Sequence, residues 1–463
     1  MTVDKRSKAS QAQFDTAAKA RALMAGTAGM RAAGNTYLPK FPAEDEQAYL
    51  SRLNQSWLFN GFRKTVRDMA GRVFSKPVTL TTAPAQLVDW AENIDNAGND
   101  LSTFARMVFE DGLAAGISYV MVDAPVRGGT VTQADVARFN LRPYMVMLEA
   151  EYLIGWNTAV INGQPTLVQL RIMECVKVDV DEFTQDDVDQ IRVMDRTDTG
   201  VMVRLFRKGK TDTGDKWLPF GDVTMTGLPE ITVFPFYANR DGFFTGKPLL
   251  DDLADVNIAH WQSQSDQRTI LHYARVPILH ATGRTEDMPI TISAGVSVNS
   301  IDPAARLEWV EHSGKAIEAG RQDLKDLEFQ METHGLQLLQ PKPGGQSATG
   351  EMLDSQKETS ILGMTADELQ NTLENALLAM CQYAGLGDQT VEVDVNKEFG
   401  TTSMNAQDFT AMLSAVNTGG LSKETFIGEL IHRKMINGEI VVQDELDRIA
   451  AEAEALMPAP VAP

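Results

Sequence analysis

Apolar side chains recur at near-helical spacing from Phe41 to about Asp123, which predicts a mostly helical region. Residues 1–36 are rich in alanine and more basic than acidic, and we expect them to form a loosely ordered or peripheral helix. Asn99 or Asp100 is a candidate N-cap for the helical stretch LSTFARMVFEDGLAAG. The apolar run at 112–122 is too short to span a membrane, so we expect it to be buried. Before this run, the near-helical spacing of six apolar residues predicts a helical face, which consists of Tyr49, Leu53, Trp57, Val66, Met69 and Val73.

The period of the apolar pattern shortens between residues 141 and 236. Apolar and polar residues alternate there, or β-branched residues follow one another. The stretches TLVQLRIMECVKVDV and GVMVRLFRKG have this pattern, and turn signals such as Asn162-Gly163 and Thr213-Gly214 separate them. The pattern predicts an antiparallel β region.

A long helix is predicted between Pro248 and Pro277, with a length of about 40 Å. Its stripe begins apolar, turns polar in QSQSDQR and ends apolar. Such a stripe usually packs against copies of itself or against water, because a globular core would leave the polar groups unpaired. The stripe consists of Leu249, Leu253, Val256, His260, Trp261, Gln264, Arg268 and Leu271.

Two further long helices follow a compact segment of short strands. The first has heptad-like spacing, which indicates helix-on-helix packing, at Ile317, Gly320, Leu324, Leu327, Met331, His334 and Leu338. The second covers about 351–383 and carries Leu362, Leu369, Leu373, Leu377 and Met380 on one side. Between them, LLQPKPGGQSATGEMLD predicts a loop, because prolines remove donors and paired glycines free the backbone. QTVEVDVNKEF then predicts a strand, and short helices form the tail.

The composition is that of an ordinary folded chain with a strongly acidic balance. It has 463 residues, 43% of them hydrophobic, which suffices for two or three domain-sized cores. The net charge of −21 argues against a protein that grips nucleic acid with a broad basic face. Cys175 and Cys381 indicate neither a disulfide framework nor a thiolate metal site. The N-terminus lacks the apolar core of a signal peptide, and a reducing cytoplasm fits best.

Motifs for catalysis, cofactor binding and metal binding are all incomplete. The acidic run VDVDEFTQDDVDQ lacks the glycine and the closing glutamate of an EF-hand loop, so a solvated strand end is the better interpretation. GGQSATG and GKP are not phosphate-binding loops, because neither contains Gly-Lys-Ser/Thr. The six histidines form no close metal-binding pair. We therefore expect no enzymatic activity, no cofactor and no metal.

The order of the elements resembles the portal proteins of tailed bacteriophages and prophages, of the siphophage and podophage type. Individual stretches are similar as well, namely YLSRLNQSWLFNGFRKTVRDMAGRVFSKPV, GLAAGISYVMVDAP, GKPLLDDLADVNIAHWQSQSDQRTILHYARVPIL and SATGEMLDSQKETSILGMTADELQNTLENAL. The resemblance covers most of the chain from about Tyr37 and is weakest before that residue and after about Asn405.

The resemblance implies an α+β, mainly helical fold with a wing, a long-helix stem, a small β clip, a tunnel loop and a C-terminal crown. By position, the domains are a peripheral segment at 1–36, the wing at 37–246, the first stem helix at 247–274, the clip at 275–316, the second stem helix at 317–339, the tunnel loop at 340–349, a long wing helix and returning strand at 350–400, and the crown and tail at 401–463.

The resemblance also assigns site residues. The tunnel loop facing DNA is Gln340, Pro341, Lys342, Pro343, Gly344, Gly345, Gln346, Ser347 and Thr349. Stem packing is assigned to Leu253, Val256, Trp261, Leu324, Leu327 and Met331. Candidates for clip contacts are Arg284, Glu286, Asp287, Glu308 and Trp309.

The implied function is a ring, normally of twelve subunits, at one capsid vertex of the virion. Double-stranded DNA would pass through it without sequence specificity during packaging and ejection. Implied partners are the terminase large subunit as packaging ATPase, the major capsid protein and a scaffold protein, and the head-completion, neck or tail adaptor proteins. Assembly would take place in the host cytoplasm, with no membrane involved. An acidic wall suits such a channel, because it repels the duplex and keeps it central.

The sequence leaves two other classes of protein open. A monomeric helical scaffold or adaptor would use the long helices to bind partners, and the proline- and glycine-rich loop would be a surface connector. A metal-dependent nuclease would use carboxylates of the acidic run, such as Asp181 and Asp187. The heptad-like helix and the polar-centred helix favour repeated helix contacts in a ring over both.

Overall fold

The computed structural model describes residues 3–125, 138–211, 214–275, 278–282, 303–310, 314–336, 348–387, 389–397, 399, 406–432, 435–436 and 441–455. Its class is α+β. The chain divides into two compact units, Met1–Lys397 and Glu398–Pro463. No helix in the described ranges is long and apolar enough to cross a membrane.

The first part of unit 1 is helical, apart from one short strand. The elements are α1 Lys8–Met24, α2 Gly26–Ala33, α3 Glu46–Gln55, α4 Gly61–Val73, β1 Thr79–Thr82, α5 Ala85–Ala91 and α6 Leu101–Ala115. Asp100 is the N-cap of α6, since its side chain accepts a hydrogen bond from the Thr103 backbone N–H at 2.7 Å.

Helix α1 is an integral part of the core, which differs from the loosely ordered or peripheral helix expected there. Ala17, Ala20 and Leu23 are fully buried. Small alanine side chains carry a weak apolar signal in the sequence, yet they let a helix approach its neighbours closely. The basic side chains of the segment also bond inwards, since Arg6 donates to the Leu153 carbonyl at 2.9 Å.

Between α6 and the first long helix, the described part of unit 1 contains ten strands and one 3-10 turn, and the first strand begins inside the region expected to be mostly helical. The strands are β2 Ile117–Asp123, β3 Tyr144–Glu149, β4 Leu153–Ile161, β5 Gln164–Asp179, β6 Gln185–Thr197, β7 Gly200–Thr211, β8 Gly214–Thr226, β9 Val233–Tyr237, β10 Arg240–Gly242 and β11 Thr245–Gly246, with a 3-10 turn at Ala150–Tyr152.

These strands form two main antiparallel sheets, which confirms the predicted β region. One sheet has the order β3-β2-β9, and the other is a meander with the order β4-β5-β6-β7-β8. The predicted turn at Asn162-Gly163 is present, with φ of 52° and 80°, as a two-residue hairpin requires. The central strand β2 is buried on both faces from Ile117 to Val122, so the buried run at 112–122 is confirmed.

Gly116 makes the sharp connection between α6 and β2. Its φ is 86°, and a Cβ atom there would overlap the backbone of Lys247. We expect Gly116→Ala to lower the free energy of unfolding by about 2 kcal/mol or more, because it adds left-handed strain to a backbone clash. Gly71→Ala is the control, since nothing lies near its Cβ position within α4.

Denaturant unfolding of both glycine variants checks this expectation. Gly71→Ala should raise the stability by about 0.5–1 kcal/mol through helix propensity. Equal stability of the two variants would show that the turn tolerates a side chain and that the close approach is relaxed in solution.

The rest of unit 1 contains the long helices. These are α7 Asp251–Ala274, the hairpin β12 Ile278–Thr282 and β13 Arg306–Val310, α8 Lys315–Met331, which runs into a π-helical turn at Glu332–Leu336, α9 Ala348–Tyr383 and β14 Glu392–Asp394. Strand β14 pairs with β1 and has alternating burial, as predicted. The predicted apolar side of α9 is confirmed, since Leu362, Leu369, Leu373, Leu377 and Met380 are buried.

Unit 2 contains three described helices, α10 Ala406–Asn417, α11 Lys423–His432 and α12 Val442–Ala455. The rings of Phe409 and Phe426 lie 6.1 Å apart and join α10 to α11. The predicted break at Gly419-Gly420 separates these two helices. The second predicted break, at Asn437-Gly438, lies outside the described residues.

Candidate assembly site

The N-terminal half of α7 is anchored on the helical part of unit 1. Leu253 and Trp261 are fully buried, and Val256 is half-buried. Asn257 is buried and holds the start of α4: its Oδ1 accepts from the Phe62 N–H at 2.9 Å. Its Nδ2 donates to the Phe59 carbonyl at 2.8 Å. The apolar start of the predicted stripe is therefore intramolecular core.

The polar middle of α7 is only partly open to solvent or to another chain. Gln262 donates to the Tyr37 carbonyl at 3.0 Å, and the hydroxyl of Ser265 accepts from that of Ser56 at 2.9 Å. The expectation that a folded chain would leave these groups unpaired is therefore wrong in part, because the N-terminal segment supplies partners. Gln267 Nε2 donates to the Ile317 carbonyl at 2.9 Å, whereas its buried Oε1 has no partner.

Helix α8 packs along α7 with the predicted heptad-like face. Ile317, Leu324 and Leu327 are half-buried. Met331 is 2% exposed and lies at the end of the regular helix, against the start of α4 near Gly61. Gly320 allows the close approach of the two helices, since a Cβ atom there would overlap the side chain of Gln267.

The π-helical turn changes which residues continue this face. It adds a residue to the turn, so Gly335 becomes buried against Leu253 and Thr65, and His334 is exposed. The prediction that His334 belongs to the heptad-like face is therefore wrong, because spacings of three and four residues assume an uninterrupted α-helix. Leu338 lies outside the described residues.

A groove of about 390 Å³ remains between α7 and α8 on one side of the pair. It is lined by small, polar and apolar side chains, namely Ala259, Gln262, Ser263, Asp266, Gln267, Ile270, Gly320, Asp323 and Leu327. Ser263 donates to Asp323 across the groove at 2.5 Å. Burial raises the pKa of Asp266, and Arg52 opposes the shift.

The ring of His260, also on α7, is tilted by 43° against that of Phe59, with ring centroids 5.4 Å apart. His260 is 1% exposed, and neither of its ring nitrogens has a hydrogen-bond partner among the described residues. Burial lowers the pKa of His260, while Glu328, with an oxygen 3.5 Å from Nε2, acts in the other direction. This histidine is a core side chain.

Two of the clip candidates, Glu308 and Trp309, lie on β13, which pairs with β12. Glu308 is exposed on β13 and lies 3.6 Å from the Nδ1 atom of His280. Trp309 belongs to β13, where its backbone is in register with Leu279. Arg284, Glu286 and Asp287 lie outside the described residues.

The tunnel-loop residues from Gln340 to Ser347 lie outside the described residues. The loop is flanked by the π-helical turn that ends at Leu336 and by α9, which begins at Ala348. Thr349, expected in the loop, is thus in the first turn of α9, and the helix starts earlier than the predicted 351.

Sequence reasoning missed a buried ionic cluster around Arg21 on α1. The guanidinium contacts the carboxylates of Asp111 and Glu151, and Glu149 lies 4.0 Å away. Burial raises the pKa of Asp111 to about 6, although Arg21 lowers it. Burial alone would lower the pKa of Arg21, but the carboxylates raise it above its usual value. A lone arginine on an alanine-rich helix was the only available signal.

The acidic run forms the tip of the β5–β6 hairpin. Among the described residues, no group of three or more His, Cys, Asp or Glu side chains could hold a metal ion. The Asp181 carboxylate accepts from the Phe183 N–H at 2.8 Å, and this bond lowers its pKa. It acts as a turn-forming residue.

A family model described as a domain of unknown function, DUF4055, matches residues 248–384, which is less than half of the chain. The matched segment begins just before α7 and ends just after α9. No curated protein matches the chain.

Similar chains occur in solved structures, including those of gene transfer agent (GTA) particles. The neck of an empty GTA particle computed with C6 symmetry is 11% identical with a TM-score of 0.39, covering 78% of this chain and 87% of that chain. The neck of a native GTA particle computed with C12 symmetry is 11% identical with a TM-score of 0.40, covering 88% and 98%. The virion of a native gene transfer agent particle is 10% identical with a TM-score of 0.39, covering 85% and 94%.

Proposed function

We propose that this protein is a portal subunit of a tailed phage or prophage, which assembles into a ring-shaped channel at one vertex of the capsid. Double-stranded DNA passes through the ring during packaging and ejection. The packaging ATPase docks first, and neck or tail proteins dock later. The protein itself has no enzymatic role in this account, and the energy for packaging comes from the separate motor.

The groove between α7 and α8 carries this proposal. Two long helices pack along one another, yet one side of their seam stays open over about 390 Å³. A monomeric helical protein gains stability by closing such a seam, since unfilled space forfeits dispersion contacts. A subunit that packs side by side with copies of itself needs one open face for its neighbour.

The order of the described elements supports the same assignment. The paired helices α7 and α8 flank a small β hairpin, and the chain returns through α9 to the sheet-bearing part of unit 1. This is the arrangement implied by the resemblance for stem, clip and wing. The net charge of −21 suits a wall that repels DNA and does not bind it.

Deleting residues 344–347 tests the channel assignment. We expect rings to form normally, because the deletion leaves α8 and α9 intact, while packaging or retention of DNA is impaired. Ring formation is measured by native mass spectrometry, and DNA content by nuclease protection of filled heads. Normal head filling by this variant would contradict the assignment of residues 340–347 to the tunnel.

A further inference from the structure

At one end of the five-stranded sheet, the β5–β6 hairpin and the β7–β8 hairpin both extend beyond the last hydrogen-bonded pair between β6 and β7. Strand β6 pairs with β7 only from Gln190 onwards, opposite Arg207, and β4 pairs with β5 only as far as Ile172. Residues 175–189 therefore form a two-stranded projection beyond the sheet, here called the arm. A lone two-stranded hairpin is marginally stable in water, so such a projection gains from a partner.

The tip of the arm combines exposed apolar side chains with free carboxylates. Phe183 is 89% exposed and Val180 is 59% exposed. Glu182 and Asp186 are exposed beside them and have no ion-pair partner in the described part of the chain, whereas Asp187 lies opposite Lys177 in the ladder. An exposed aromatic ring surrounded by carboxylates fits an apolar surface with a basic rim.

The neighbouring β7–β8 hairpin carries a surface of that kind. Lys216 is exposed and without an ion-pair partner among the described residues, and the strand register places it on the same face as Leu218, Phe220 and Arg207. Leu218 and Phe220 are exposed on β8, and the Arg207 guanidinium lies 3.6 Å from the centre of the Phe220 ring. Strand β8 is also the edge of the sheet, and its outer side has no partner strand among the described residues.

The arm cannot reach this outer side within its own chain, because β7 lies between β6 and β8 in the sheet. We propose that the arm of one copy docks on the outer side of the β7–β8 hairpin of the next copy in a head-to-tail contact. Phe183 then packs beside Leu218 and Phe220, while the arm carboxylates face Lys216 and Arg207 on the same face of the hairpin. Pro219 lacks an N–H on this strand, so side chains carry the contact and not a continuous ladder. The inference rests on the proposed ring.

Charge reversal on either side tests the contact. The arm variant is Glu182→Lys with Asp186→Lys, and the hairpin variant is Arg207→Glu with Lys216→Glu. The control, Asp89→Lys with Glu92→Lys, reverses two exposed acids at the C-terminal end of α5. At about 0.1 M salt, we expect each contact variant to raise the protein concentration needed for half-assembly at least tenfold. The control should leave it unchanged.

Mixing the two contact variants gives the sharper result. In an alternating ring, the basic arm of one variant meets the acidic hairpin of the other, and the acidic arm of the second meets the basic hairpin of the first. We therefore expect an equimolar mixture to assemble like the wild type, although each variant alone does not. Native mass spectrometry reads the composition of the mixed rings, and thermal unfolding confirms that each variant folds.

The possible results distinguish failure of the arm contact from failure of the proposed ring. Wild-type rings together with unaffected reversal variants would overturn the arm contact and leave the ring in place. Loss of assembly without recovery in the mixture would also overturn it. A wild-type protein that never forms rings would overturn the proposed function itself.

Discussion

We expect Arg21→Ala to lower the free energy of unfolding by about 3–5 kcal/mol. Asp111 is only 6% exposed and would keep no cation beside it among the described residues, because Arg21 is the guanidinium that its carboxylate contacts. The same substitution removes the pair with Glu151, which fixes α1 to the turn before β4. Denaturant unfolding at a fixed protein concentration measures the effect.

Lys19→Ala on the same helix is the matched control. Lys19 pairs with Asp251 at 2.8 Å, but the Asp251 side chain is 47% exposed, so water screens this bridge. We expect the control to cost less than about 1 kcal/mol. Equal losses for Arg21→Ala and Lys19→Ala would contradict the view that the buried cluster holds α1 in place.

The pH dependence of Arg21→Ala has a defined sign. The pKa of Asp111 is already raised by burial from 3.8 to about 6, and removal of Arg21 takes away an interaction that lowers it. The folded variant then binds a proton more readily than the unfolded chain, so its stability rises as the pH falls from about 7 towards 4. The stability gap to the wild type should therefore be smaller at pH 5 than at pH 7.5.

Leu327→Asp should abolish ring formation while the subunit stays folded. Leu327 lines the α7–α8 groove together with Asp266 and Asp323, so the new carboxylate would be the third acid there. In the free subunit water reaches the groove, and the loss of a half-buried leucine costs about 1–2 kcal/mol. In a ring the neighbour would bury the carboxylate without a partner, at a cost of several kcal/mol.

Gln322→Asp places the same carboxylate on an exposed part of α8 away from the groove. We expect this control to assemble like the wild type. Native mass spectrometry of both variants, with thermal unfolding of the same samples, checks the pair. Normal rings of Leu327→Asp would show that the groove is not an interface between copies.

The sequence predicted the elements whose apolar periods are long and regular. The stripe of α9 and the meander of β4 to β8 have strong patterns, because each element buries one consistent set of side chains. Helix α1 was misjudged, since alanine packs well but contributes little apolar signal. The β2 strand was taken for part of a helical region because a strand buried on both faces has no alternation.

The candidate site was predictable in outline and not in detail. The heptad-like spacing of α8 predicted a helix partner, but the π-helical turn moved Gly335 into the place expected for His334. The polar middle of α7 predicted an open face, yet Ser56 and the Tyr37 carbonyl pair with part of it. Such partners are distant in sequence, so no local pattern reveals them. The proposed contact between the arm and the β7–β8 hairpin likewise depends on the register of the strands, which the sequence pattern does not give.

The mass of the purified full-length protein, measured by native mass spectrometry with negative-stain images of the same sample, tests the central claim most directly. We expect rings of about a dozen subunits with a central hole, since the open face of each α7–α8 pair requires a neighbour. A single-subunit mass at every salt and protein concentration would contradict the ring and favour a monomeric adaptor.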